Sequence, residues 1–195
     1  LNPTLGTLRL GANLNVANLN PGGGNYDLGS PGMYPVFWID GATVTFGTAG
    51  GAIVPYGTLK ITAGTLNVLT GQQAVVIRES GLFQIDGGTV NMGIFRTSVT
   101  ATTHRGSFVM NSGEAAYYAI FSLPYPENVF KMSGGTMNIT RTGGGSITPN
   151  GGILINSAAQ NYDVSGGQIN VKSTGNVHFD ICSSAPFYNL NIGRQ

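Results

Sequence analysis

Asp40 and Asp86 come nearest, by type and spacing, to a pair of groups that could do chemistry. Each immediately precedes a small pair, Gly41-Ala42 or Gly87-Gly88, inside the same local phrase. If that phrase marks successive turns of one structure, the carboxylates stand two turns apart, with backbones about 9 to 10 Å from one another. That is near the upper separation for an inverting pair in glycoside hydrolysis, where one carboxyl protonates the leaving oxygen and the other activates water. Thr62 fills the same position in the turn between them, and Ser133 and Ser165 fill it later; no charged residue stands beside the acids in that column. Asp, Ser and Thr share an ability to hydrogen-bond into a bend. The expected role is turn formation, with acid–base chemistry as the alternative.

The other polar candidates are thinner. His104 with Arg105 falls in a polar loop, and His178 alternates with Val177 and Phe179 in a strand pattern; neither has a Cys or Asp at metal-ligand spacing. No metal and no cofactor are expected. Cys182 is the only cysteine, which excludes an intrachain disulfide, and it reads as a small buried hydrophobe rather than a nucleophile. Asn138-Ile139-Thr140 matches a glycosylation sequon. Tyr26, Tyr34, Trp38 and Tyr56 sit in or beside a long glycine-rich stretch, where aromatic faces could stack on sugar rings or pack on the protein body.

The elements that position these residues follow from repetition. ITAGTLNV, IDGGTVNM, SGGTMNIT and VSGGQINV are versions of one phrase. Anchored on the residue after the small pair (Asn13, Thr43, Thr65, Thr89, Glu114, Thr136 and Gln168), the phrase recurs mostly every 22 to 25 residues, the length of one turn of a parallel β-solenoid. One residue after the anchor stand Leu14, Val44, Leu66, Val90, Ala115, Met137 and Ile169; three after it stand Val16, Phe46, Val68, Met92, Tyr117, Ile139 and Val171. A period of two is that of a strand with one buried face. Ahead of the bend run Phe37, Leu59, Phe83, Phe108, Phe130 and Tyr162, then Ile39, Ile61, Ile85, Met110, Met132 and Val164. The first phrase, TLRLGANLNV, fits only if it lacks one residue in the bend.

The sequence therefore predicts an all-β, right-handed parallel β-helix of about seven to eight turns over residues 1–195, a rod about 30 to 35 Å long. Two longer insertions, Asn20 to Pro35 and Arg141 to Leu154, are expected outside the wall. NVHFDI followed by FYNLNIG reads as one more partial turn. The outer phrases carry the same apolar pattern as the middle ones, so the segment is expected to belong to a longer chain and to need flanking repeats. Two residues after the anchor, Asn15, Thr45, Asn67, Asn91, Asn138 and Asn170 form an outward column whose amides can bond from turn to turn, broken by Ala116. With Thr43, Thr65, Thr89 and Thr136 beside it, this strip also has the regularity that could match ice.

Composition narrows the partners. A hydrophobic share of 41% supports a core, and 31 glycines without a strict every-third period exclude collagen. With 9 Lys and Arg against 8 Asp and Glu there is no basic patch for a nucleic acid, and no run of 18 apolar residues suggests a transmembrane segment. FKMSGGTMNIT and FYNLNIG resemble the repeats of large secreted and cell-surface, adhesin-like β-helix proteins of Bacteroidota. The resemblance implies a secreted or surface location and a non-catalytic structural or adhesion module, a stalk that presents surfaces to glycans or to other cell-surface proteins. The alternative is a carbohydrate-binding or polysaccharide-degrading β-helix. Pectate-lyase-like enzymes share the general fold, but their clustered calcium-binding acids or neighbouring aspartates have no counterpart here.

Overall fold

A computed structural model describes residues 6–16, 26–47, 52–68, 74–97, 106–142, 152–174 and 179–194. The chain winds as a parallel β-solenoid, consistent with a right-handed β-helix, and every pairing between named strands is parallel. The first turn holds β1 (Thr7–Leu10), β2 (Leu14–Val16) and β3 (Tyr26–Leu28). The second has β4 (Val36–Phe46) and β5 (Ile53–Pro55), and the third β6 (Thr58–Val68) and β7 (Ala74–Ile77). In the fourth and fifth turns β8 (Leu82–Thr97) and β9 (Ser107–Leu123) run through all three faces of the wall. The sixth has β10 (Val129–Met132), β11 (Thr136–Thr142) and β12 (Gly152–Ile155), and the seventh β13 (Tyr162–Val164), β14 (Gln168–Thr174) and β15 (Asp180–Ser183). A last strand, β16 (Leu190–Arg194), begins an eighth.

The columns read from the sequence lie in register. Thr43 pairs with Thr65, then Thr89, Glu114, Thr136 and Gln168. Phe37, Leu59, Phe83, Phe108, Phe130 and Tyr162 make another continuous stack. Leu66, Val90, Ala115 and Met137 all point inward and are essentially solvent-free. The first turn is one residue short in its bend, because Leu10 aligns with Ile39 while Leu14 already aligns with Val44.

A third face completes the turn, and it accounts for two departures from expectation. Ile53, Val75, Phe95, Phe121, Ile153 and Ile181 form one aligned column, and the first five are buried. Both expected insertions contribute to this face: β3 lies within 20–35 and pairs with β5, while β12 lies at the end of 141–154 and pairs with β9 and β15. The Asp180-Ile181 end of NVHFDI likewise belongs to the seventh turn instead of opening a new one. These strands have three or four residues and no bend phrase beside them, so periodicity could not isolate them.

The bend explains the glycines. Gly88 adopts φ +72°, and a Cβ built there would stand 2.6 Å from the Gly64 carbonyl oxygen of the turn below. Gly113 repeats the arrangement over Gly88, at φ +87° and 2.7 Å. Side chains are excluded twice, by the left-handed backbone and by the spacing of the stack. In the second turn the order of the small pair is reversed, Gly41-Ala42, and Gly41 takes the positive φ one position earlier. Independently of that order the register slips by one residue at the bend, where Asp40 aligns with Ala63 and, two turns on, Asp86 aligns with Ser112.

Aromatic packing fills the middle of the rod. Phe95 stacks on Phe121 with ring centres 4.9 Å apart, and Phe108 stacks on Phe130 at 6.0 Å. Tyr117 lies among them with no exposure, and its hydroxyl has no hydrogen-bond partner among the described residues. Burial pushes that phenol well above its usual pKa.

Two outcomes follow for equilibrium denaturation. Phe108→Ala should cost about 3–5 kcal/mol by emptying the aromatic layer, whereas Tyr117→Phe should stabilise by about 1–3 kcal/mol by removing an unsatisfied buried hydroxyl. A destabilised Tyr117→Phe variant would show that the hydroxyl has a partner. Gly88→Ala should be destabilising, while Gly193→Ala, where nothing lies within 4 Å of the added carbon and φ is not left-handed, should be close to neutral. Equal melting temperatures for the two would contradict the stacked-bend account.

Candidate functional site

The outward side of the first face carries the two acids. Arg9, Trp38, Lys60 and Gln84 succeed one another in one column, each a turn above the last. Asp40 lies two residues beyond Trp38 in β4, on the same outward side. Its Oδ2 accepts from Arg9 Nε at 2.8 Å and forms an ion pair with the guanidinium, and its Oδ1 accepts from Thr62 Oγ1 at 2.7 Å. Thr62 Oγ1 in turn accepts from Trp38 Nε1 at 2.7 Å. Asp86 is held similarly: Oδ2 accepts from Gln84 at 2.7 Å and lies 3.0 Å from Lys60 Nζ, while Oδ1 accepts from Asn111 at 2.7 Å. Ser133 extends the chain of bonds by donating to Asn111 Oδ1 at 2.8 Å.

The sequence columns place no charge beside Asp40 or Asp86; the structure does. The partners come from the neighbouring outward column, Arg9 one turn below Asp40 and Lys60 one turn below Asp86, a diagonal that a same-position alignment does not test. The hydrogen bond from Thr62, then that from Arg9, holds Asp40 below the ordinary carboxylate range. For Asp86 the largest influence is burial, which raises the pKa, but bonds from Gln84, Asn111 and Lys60 together outweigh it and the net shift is downward. A general acid needs the opposite perturbation, a raised pKa that keeps its proton near neutral pH.

The aromatic candidates divide among different surroundings. The Trp38 ring has the Arg9 guanidinium carbon 4.5 Å from its centre and Lys60 Nζ at 5.8 Å. These cations compete with any sugar for the ring faces. Tyr56 is buried and its hydroxyl accepts from Arg78 Nη1 at 3.0 Å, whereas Tyr34 is 49% exposed and reaches Glu79 at 3.3 Å. Tyr26 has its backbone in β3, and its side chain lies outside the described residues, as do those of Asn15 and Val16. His104, Arg105 and His178 also lie outside them. Cys182 corrects an expectation: it is exposed, because it points outward between the inward Ile181 and the next wall position. Among the described residues no three His, Cys, Asp or Glu side chains gather as a metal site.

On the second face the amides bond along the rod. Asn91 Nδ2 donates to Asn67 Oδ1 at 2.9 Å, Asn67 Nδ2 to Thr45 Oγ1 at 3.4 Å, and Asn170 Nδ2 to Asn138 Oδ1 at 2.9 Å. Each donates to the turn below. Ala116 interrupts the series, and Asn138 Nδ2 turns instead to Glu114 Oε1 at 2.8 Å. Sequence reasoning noted the gap but not what borders it: Glu114 and Tyr118, both exposed, flank Ala116 on the same strand face.

No protein-family model, curated protein or solved structure matches the chain. No helix among the described residues is long and apolar enough to cross a membrane.

The lowered carboxylate pKa values set the acid limb of stability. A group whose folded pKa is depressed contributes stability above its unfolded pKa, near 4 (about 3.9 for Asp), and loses it as pH falls through the folded value. Wild type should therefore lose stability below about pH 4, and Asp86→Asn should be less stable at pH 7 yet show a shallower loss on acidification. Melting temperatures from pH 2 to 7 test this; parallel curves for the two proteins would count against it.

Proposed function

We propose that this chain is a non-catalytic, surface-presenting β-solenoid module, a rigid stalk or adhesion segment of a secreted or cell-surface protein. The observation that carries the reading is the engagement of the two acids best placed for chemistry. Asp40 and Asp86 are each tied to a cation and to hydrogen-bond donors within their bends, and both are held ionised. Such carboxylates do for the surface of the rod what Ser133 does one turn beyond Asn111, bonding one bend to the next. The fold itself supports a structural or binding role without naming a ligand. The resemblance of the FKMSGGTMNIT and FYNLNIG phrases to bacterial surface repeats supports the location.

The enzyme reading would need a proton donor with a raised pKa beside a second free carboxylate, and the bonding of these two acids disfavours it. A match to ice would need an unbroken lattice of Thr and Asn, and Glu114, Ala116 and Tyr118 interrupt the strip in one turn.

Incubation with pectin, alginate, xylan and β-glucans should release neither reducing ends nor unsaturated uronates. Asp40→Asn and Asp86→Asn should alter melting temperature alone. Turnover of any of these polymers that disappears in either variant would overturn the non-catalytic assignment.

A further inference from the structure

Arg78 is a cation that the wall leaves without an acid. It follows β7 directly above Tyr56 and points outward; its Nη1 donates to the Tyr56 hydroxyl at 3.0 Å, and the guanidinium carbon lies 5.9 Å from the centre of that ring. Nε is buried with no acceptor, and no described residue accepts from Nη2. All eight acidic residues of the chain lie within the described segments, and among the described residues only Asp40 and Asp86 form ion pairs, with Arg9 and Lys60. The acid next in sequence, Glu79, is turned away: it takes a left-handed φ of +50°, a costly conformation for a residue with a side chain, and accepts from the Tyr34 hydroxyl at 3.3 Å. Asp27, outward on β3, stands two turns below Val76.

A second cation stands on the next turn. Arg96 of β8 lies directly above Val76, two residues short of the position over Arg78; it is exposed, and it too has no ion pair among the described residues. With turns about 4.8 Å apart and outward residues about 6.8 Å apart along a strand, the two backbones stand about 8 Å from each other. The ground beside them is apolar, because Val54, Tyr56 and Val76 pack together on the outer side of this face, with Ile94 against them. A charge on such ground is less well hydrated than one among polar side chains, and its attraction to a counter-ion is stronger.

We infer that Arg78 and Arg96 hold the anionic groups of an acidic polysaccharide, the carboxylates of uronic acids or sulfate esters, on the outer side of the third face. The inference rests on the surface-presenting reading and adds the class of ligand. An oxygen of one anionic group accepts from Arg78 Nη2, and a second group further along the same chain pairs with Arg96. Tyr56 fixes the Arg78 guanidinium by hydrogen bond and ring, so little side-chain freedom is lost on binding. A neutral glycan brings no charge to either arginine. This surface lies on a different face from Asp40, Asp86 and Trp38.

Titration calorimetry at low salt with hexagalacturonate and a sulfated κ-carrageenan hexasaccharide tests the inference, with cellohexaose as the neutral comparison. At least one acidic oligosaccharide should bind, and which of the two does so distinguishes carboxylate from sulfate. Arg78→Gln and Arg96→Gln should each weaken it about tenfold or more. Arg96 has no partner among the described residues, so Arg96→Gln should keep the wild-type melting temperature, and its loss of binding is then not a loss of fold. Lys131→Gln removes an exposed cation from the first face and should bind as wild type does. The inference is overturned if neither acidic oligosaccharide binds, if cellohexaose binds as tightly, if either arginine variant binds as well as wild type, or if Lys131→Gln weakens binding as much as Arg78→Gln. Any of these results leaves the non-catalytic reading standing, since only turnover of a polymer overturns that.

Discussion

The constraint on which the rest of the molecule depends is the spacing between turns, about 4.8 Å, imposed by parallel backbone hydrogen bonds. At the bend between the first two faces the chains of successive turns sit directly over one another, and the carbonyl of one occupies the place where a Cβ of the next would go. Gly64, Gly88 and Gly113 are stacked in this way. Without glycine at the corner the turns could not close to hydrogen-bonding distance, and the apolar columns behind the corner would not meet. The reversed pair Gly41-Ala42 shows how local the rule is, since exchanging the order moves the positive φ one residue earlier in the bend.

The same spacing decides which side chains are tolerated in a column. Apolar residues stacked at that distance bury one another, and the Phe108–Phe130 and Phe95–Phe121 ring stacks lie within that core. Amides stacked at that distance bond in series. Two charges of one sign stacked so closely would repel. The acids accordingly sit two turns apart and each takes a cation from the adjacent column. Cation, aromatic ring and carboxylate together lock the outer surface of the first turns, where Arg9, Trp38, Thr62 and Asp40 form one bonded group.

In a repetitive molecule, a column that keeps its residue type is explained by stacking, and chemistry has to be sought where the type changes. Thr62, Ser133 and Ser165 at the position of Asp40 and Asp86 mark a bend position served by several hydrogen-bonding side chains, and the bonds of both acids agree with that. Ala116 is the reverse case. Its turn loses an amide, gains Glu114 where asparagine, threonine or glutamine stands elsewhere, and carries the exposed ring of Tyr118.

By itself the sequence determined the architecture, because a period of two within strands and of 22 to 25 residues between bends leaves few alternatives, and the register of both major columns follows from it. Even the residue missing from the first bend was legible, since Leu10 and Leu14 are one position closer together than Ile39 and Val44. The third face was not, because its strands are short, carry no glycine phrase and fall at variable distances after the bend. Only the tertiary structure decided the partners of Asp40 and Asp86, the covering of Trp38 and the exposure of Cys182. Those depend on diagonal neighbours from adjacent turns and on which side of a short strand faces water. A linear repeat aligns like positions with like; it does not show which unlike side chains the winding brings within reach.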